Sequence, residues 1–242
     1  MRRRLDKPYV RKGGKLAPAR WDEAFAAVAK AAKAAGGSVA AVAGDLLDCE
    51  TMYAARELVR ALGGKDAPLE GRQGGLAYDV SSLSAVNFNS TIAGVETADV
   101  ILLVGTNLRW EAPLINTRVR KAIKKGAKVY GIGPEIDLTY KVEWLGGDAS
   151  LLAKLPKAVV DAFKGAARPL MIVGGGVLGK DGAHGDTLKL VDTIGLVKEG
   201  WNGYSLLHFA AARMGGLMLG YARKGGIKAI AAAKAKLMFT FG

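Results

Sequence analysis

Five short apolar runs along the chain close in glycine, at Gly44, Gly105, Gly131, Gly174 and Gly242. Runs of this length read as strands buried on both faces, and glycine at their ends permits tight turns. Between them, apolar positions recur three and four apart. Trp21, Phe25, Val28 and Ala32 share one face of a predicted helix over 21–34. Further helices are expected over 50–62, 112–125, 150–163, 186–194, 204–214 and 228–236. The segment Tyr9-Val10-Arg11-Lys12-Gly13-Gly14-Lys15-Leu16 reads as a hairpin, its two glycines supplying the positive φ of a tight turn. Residues 65–91 show weak periodicity, and a stretch of that length without a pattern suggests a binding loop.

The clearest unit runs from Asp99 to Pro134: strand, Gly105-Thr106-Asn107, helix, strand, glycine turn. Strands alternating with helices predict an α/β fold with a doubly wound, mostly parallel sheet and helices on both faces. The last apolar run lacks the crossover helix that should follow it, so the pattern breaks off inside a βα unit. The organisation expected is a basic connector and hairpin over 1–20, a first α/β lobe over 21–145, and a second over 146–242, incomplete at its end.

The composition narrows the chemistry. The 242 residues are 50% hydrophobic and 24% charged, enough for a buried core. The single cysteine, Cys49, excludes a cluster on four cysteines, an internal disulfide or a Cys-rich zinc site. Net charge is +13, with Arg2, Arg3, Arg4, Lys7, Arg11, Lys12, Lys15 and Arg20 crowding the start. That could form a nucleic-acid face, but no aromatic ladder or nucleic-acid motif accompanies it, so a solvated or partner-facing segment is preferred. No apolar run reaches the roughly 20 residues of a membrane span, and no apolar core follows the basic start as in a secretory signal.

Candidate chemistry is sparse. Gly105-Thr106-Asn107 opens a helix, so its amides and the Asn107 side chain could meet a phosphate or a pterin, with Arg109, Arg118 and Arg120 nearby. The alternative is a plain strand-end turn beside a basic surface. Gly174-Gly175-Gly176-Val177-Leu178-Gly179 matches G-x-G-x-x-G, but the glycine-rich residues after it do not suggest the helix a dinucleotide site needs. A flexible loop is the preferred reading. His184 and His208 have no partners at metal-ligand spacing, and His208 is expected inside a helix, packed or capped. Asp45, Asp48 and Glu50 read as caps or solvated carboxylates. Arg20 occupies an N-cap position but cannot accept a hydrogen bond, which predicts a weaker helix start. No catalytic residues, P-loop or G-x-S-x-G elbow can be assigned.

In combination, several segments resemble a known family across essentially the whole chain. They are Arg4-Leu5-Asp6-Lys7-Pro8-Tyr9-Val10-Arg11 and Trp21-Asp22-Glu23-Ala24-Phe25. They also include Phe88-Asn89-Ser90-Thr91-Ile92-Ala93-Gly94-Val95-Glu96, Ala98-Asp99 with the strand after it, Asp137-Leu138-Thr139-Tyr140, and Trp201-Asn202-Gly203-Tyr204 with Leu207-His208. The chain resembles the molybdopterin-oxidoreductase-like region of the large iron–sulfur subunit of NADH:quinone oxidoreductase (respiratory complex I), alphaproteobacterial or mitochondrial in type.

The resemblance implies that iron–sulfur clusters lie upstream and that none is in this chain. It implies partners among the complex I peripheral-arm subunits. It implies a peripheral place on the cytoplasmic face of a bacterial inner membrane, or on the mitochondrial matrix side. Electron transfer from NADH to quinone would belong to the assembly. Departures from the wider family imply a dismantled cofactor site. Relatives with the cofactor have Arg-x-Cys where this sequence has Arg72-Gln73-Gly74, and glycine offers no ligand atom. They have His-Pro where it has Ala112-Pro113, and Asp-Pro-Arg where it has Gly133-Pro134-Glu135. An anion such as Glu135 about 4 Å from a phosphate is repelled by ~1–4 kcal/mol. Gly105, Thr106, Asn107 and Arg72 are therefore expected to be vestigial cofactor-binding positions in a scaffold domain. The alternatives are an oxidoreductase that kept a molybdopterin or dinucleotide cofactor, and a basic nucleic-acid-binding domain.

Overall fold

A computed structural model describes residues 5–71, 78, 80–222 and 226–242. Arg2, Arg3 and Arg4 and the Arg72-Gln73-Gly74 segment lie outside the described residues. The chain opens with the expected hairpin, β1 (Tyr9–Lys12) and β2 (Lys15–Pro18), turning at Gly13 and Gly14 with φ of 56° and 82°. Helix α1 (Trp21–Ala35) follows. Its backbone start is capped from within: the Arg20 N–H donates to the Glu23 carboxylate at 3.1 Å, while the Arg20 side chain donates to Asp22. The backbone bond from Arg20, then Lys12 alongside, holds the Glu23 carboxyl below its usual range. Helix α1 turns the predicted apolar face outward and packs its alanines inward, with only Ala35 buried.

Strand β3 (Val39–Ala43), helix α2 (Cys49–Gly63) and strand β4 (Leu69–Gly71) come next. They are followed by β5 (Val100–Val104), α3 (Leu108–Glu111), α4 (Pro113–Lys124), β6 (Lys128–Ile132) and β7 (Glu143–Gly146). The 99–134 unit therefore forms as its pattern predicts. Pro113 sits at the first position of α4, where a missing N–H costs nothing. The helix expected over 150–163 is interrupted. Residues Ala149–Leu152 make a single 3-10 turn, and α5 (Lys157–Gly165) starts only after Pro156. Proline disfavours helical backbone in the residue before it, which ends the turn early.

Strand β8 (Pro169–Val173), α6 (Gly175–Leu178), α7 (Ala183–Thr193), β9 (Val197–Lys198) and β10 (Trp201–Asn202) lead into β11 (Tyr204–Leu206). The helix predicted over 204–214 is thus corrected to a strand, a loop and then α8 (Arg213–Met218). Ser205 decides this: it is fully buried, and its hydroxyl meets that of Ser90 at 2.9 Å, a pairing across the chain that helical spacing cannot reveal. Helix α9 (Gly226–Ala232) and strand β12 (Leu237–Phe241) close the described chain.

Two parallel sheets result. One has the order β11-β8-β5-β6-β7, the other β12-β3-β4. Each takes strands from both sides of residue 146. The larger sheet is doubly wound. Val100, Leu102 and Val104 of β5 join one core with Val159 and Phe163 of α5 and Leu190 of α7. Ile101 and Leu103 point to the other core, with Ile115 and Val119 of α4. No helix among the described residues is long and apolar enough to cross a membrane.

Candidate functional site

In the larger sheet β5 is central: β6 and β7 lie to one side, β8 and β11 to the other. The chain reverses its direction of winding between β5 and β8, and that switch point at the carboxyl ends of the strands is where α/β sheets take their ligands. Gly105 and Gly174 stand there. Gly105 has φ of 56°, and a Cβ built on it would lie 2.8 Å from the Val177 nitrogen. The turn after β5 is thus pressed against α6, and only glycine fits.

The crevice is closed by the protein itself. The Gly174 N–H donates to the Val104 carbonyl at 2.9 Å and the Gly176 N–H to the Gly105 carbonyl at 3.0 Å. Glu111, at the end of α3, folds back over the turn. Its carboxylate accepts from the Asn107 backbone N–H at 2.7 Å and from the Thr106 hydroxyl at 3.1 Å. The Asn107 side-chain oxygen accepts from the Arg109 N–H at 3.2 Å, capping α3. Two donors that could have met a phosphate, the Thr106 hydroxyl and the Asn107 N–H, are thus occupied by a resident anion. A Cβ on Gly174 would lie 2.7 Å from the Glu111 Oε2, so the carboxylate is wedged between the two loops.

Two of the nearby cations, Arg109 and Arg118, are engaged elsewhere. Arg109 donates to the Asp137 carboxylate at 2.9 Å, and Arg118 and Lys121 both reach Glu96. Hydrogen bonds from Lys121 and Arg118 outweigh desolvation and hold the Glu96 carboxyl below its usual range. Arg120 and Glu135 are exposed.

The G-x-G-x-x-G segment needs a correction too. A helix does begin inside it, α6, but it lasts one turn before α7 starts at Ala183. The Phe209 ring lies where a side chain on Gly175 would be. The motif packs β8 against β5 and its own loop, a job that also calls for glycine.

The histidines are structural in their contacts. His184 is buried, its Nε2 3.0 Å from both the Ala85 carbonyl and the Tyr204 hydroxyl. His208 lies in the loop after β11, outside any helix, with Nε2 2.6 Å from the Val86 carbonyl. Burial lowers its affinity for a proton, and the neighbouring Arg213 and His184 add to this. Both rings pin the 83–90 segment beside β11. There Asn89 donates to the Tyr204 carbonyl at 2.8 Å, and the Leu206 N–H to the Asn87 carbonyl at 3.1 Å. Two of the segments that carried the family resemblance are thus each other's partners, and residues 87–89 cover the free edge of β11.

At the smaller sheet, Asp48 caps α2, accepting from the Thr51 N–H at 2.7 Å, and that bond holds its carboxyl below the usual range. Glu50 is exposed. Asp45 pairs with buried Arg213 at 2.7 Å, a contact without a signal in the sequence. The cavity beside them, lined by Gly44, Asp45, Met52, Gly71 and Tyr221, has about 10 Å³ of room, enough for one water. Among the described residues no group of three or more His, Cys, Asp or Glu side chains is placed to hold a metal. Glu111 was missed in the sequence; its signal is a carboxylate four residues after the Asn107 that opens the helix.

The molybdopterin oxidoreductase family matches residues 4–242. The chain belongs to that family. It is 36% identical over 226 residues to a subunit of the NADH-quinone oxidoreductase of Rickettsia prowazekii, covering 90% of this chain and 33% of the relative. It is 37% identical over 234 residues to the mitochondrial NADH-ubiquinone oxidoreductase 78 kDa subunit of Neurospora crassa, covering 90% and 31%. The NADH-ubiquinone oxidoreductase 75 kDa subunit of Reclinomonas americana is 32% identical over 241 residues, covering 90% and 35%. This molybdopterin oxidoreductase domain thus spans about a third of the length of the curated relatives it matches.

Proposed function

We propose that this domain is a structural part of the peripheral arm of NADH:quinone oxidoreductase, with the family's fold and no redox centre of its own. The carrying observation is the Glu111 carboxylate, which takes up the Thr106 and Asn107 donors at the switch point of the sheet. A second anion at that spot would meet the like charge of Glu111, which already takes the Thr106 hydroxyl and the Asn107 N–H. In this reading electrons pass from NADH to quinone through clusters held by the rest of the subunit and its neighbours. The domain supplies a packed α/β body against which they are arranged, peripheral to the membrane on the cytoplasmic or matrix side. The names of the relatives and the family match support it.

The test is chemical analysis of the purified chain: molybdenum content, pterin fluorescence after oxidation, and bound nucleotide. Background levels of all three are expected. A stoichiometric cofactor would overturn the reading in favour of an oxidoreductase that kept its site.

A further inference from the structure

At the end of the larger sheet opposite the switch point, beside the amino ends of β5 and β8, lies a cleft of about 390 Å³. Its walls include Asn89, Thr91 and Gly94 from the segment before β5, Arg168 just ahead of β8, and Trp201 and Asn202 of β10. At about 30 Å³ per water it has room for roughly a dozen waters, the size of a small-molecule site. Among the described residues that line it there is no Asp or Glu.

Arg168 is the cation of the cleft, and it is held in place without being neutralised. Its guanidinium carbon lies 5.7 Å from the centre of the Trp201 ring. That ring is itself fixed. The indole N–H donates to the Pro169 carbonyl at 2.7 Å, and the ring edge lies 3.4 Å from where a Cβ on Gly94 would stand. Asp99 gives its carboxylate to the backbone N–H groups of Ala167 and Arg168, at 2.7 and 3.1 Å. The Arg168 guanidinium has no ion pair or hydrogen bond among the described residues.

Two uncharged groups are also left over. The Asn202 side-chain oxygen accepts from the Tyr204 N–H at 3.0 Å, and its NH2 group has no acceptor among the described residues. Asn89 donates its NH2 group to the Ser84 and Tyr204 carbonyls, both at 2.8 Å, and its side-chain oxygen has no donor among them. Thr91 fixes the wall: it holds a φ of 60°, unfavourable for a β-branched residue, while its hydroxyl accepts from the Gly94 N–H at 3.0 Å. Strain of this kind persists only where the surroundings impose it, and it gathers at ligand clamps.

We propose that this cleft binds a small hydroxylated monocarboxylic acid. One guanidinium matches one carboxylate, which it can grip through paired hydrogen bonds. Hydroxyls both donate and accept, so they suit the spare amide N–H groups of Asn202 and the spare oxygen of Asn89. A doubly charged phosphate would keep one charge unmatched. The cleft is separate from the switch point, so the proposal stands whether or not that crevice holds a cofactor.

The test is saturation-transfer NMR on the intact protein, purified from its own cells with the chains that accompany it, with gluconate as the probe. Sorbitol has the same skeleton without the carboxylate, and hexanoate has the carboxylate without the hydroxyls. At matched ionic strength gluconate should bind saturably, and at least ~10-fold more tightly than either. Arg168→Gln alters an exposed group, so its melting temperature should stay within about 2 °C while the dissociation constant for gluconate rises at least ~10-fold. Asn202→Asp keeps an acceptor for the Tyr204 N–H but brings a negative charge to the cleft, and should weaken gluconate binding as well. Absence of saturable gluconate binding, as when a neighbouring chain fills the cleft, overturns the proposal. So does equal binding of sorbitol or hexanoate, or a dissociation constant that Arg168→Gln leaves unchanged.

Discussion

Glu111→Ala tests whether the switch point is held shut by its own carboxylate. The change removes two hydrogen bonds, from the Asn107 N–H at 2.7 Å and the Thr106 hydroxyl at 3.1 Å. Bonds to a charged group contribute about 1.5–3 kcal/mol each. Thr106 is buried while Glu111 is half-buried, so water can replace part of what is lost. The net cost expected is about 2–3 kcal/mol, or a fall in melting temperature of about 5–10 °C for a chain of this size. The variant also frees two donors at the end of β5. Inorganic phosphate should then raise its melting temperature, by mass action on the folded state, and leave the parent protein unmoved. Differential scanning fluorimetry at matched ionic strength, with chloride as the control, reads both effects. A loss below about 0.5 kcal/mol, or equal stabilisation of parent and variant by phosphate, would refute the reasoning.

Three further outcomes are expected. Gly105→Ala should cost about 2–4 kcal/mol in urea unfolding, because a left-handed residue gains a Cβ and that Cβ would lie 2.8 Å from the Val177 nitrogen. His208 takes up a proton less readily when folded than when unfolded, since burial disfavours its cation. Stability should therefore be full above pH ~6.5 and decline as the pH falls below it, and His208→Gln should flatten that part of the curve if equilibrium unfolding is followed from pH 7.5 to 5. Arg20→Ser should stabilise the start of α1 by about 0.5–2 kcal/mol, because a serine hydroxyl can accept from the first-turn amides that arginine cannot serve, and an unchanged midpoint in urea would contradict this.

The apolar runs and their glycines determined much of the fold. Five continuous runs can be buried only in a sheet covered on both faces, and the helical spacing between them dictates parallel crossovers. The unit around β5, α4 and β6 and the outline of α1 and α2 followed from this alone. Local pattern failed where a partner far along the chain sets the conformation. Residues 204–206 look helical in isolation and become β11 because Ser205 and the Tyr204 carbonyl meet Ser90 and Asn89, more than a hundred positions away. In α1 the periodicity marked an apolar face correctly, but two apolar arcs lie side by side there, and packing chose the alanines for the inside because small side chains allow the closest approach. The candidate site divides in the same way. The sequence placed Gly105, Thr106 and Asn107 at a strand end. Glu111 reaches them locally, from four residues on, whereas only the tertiary structure brought Gly174 and Gly176 onto them, because the fit of one loop against another, and so the closing of the crevice, depends on which strands the sheet sets side by side.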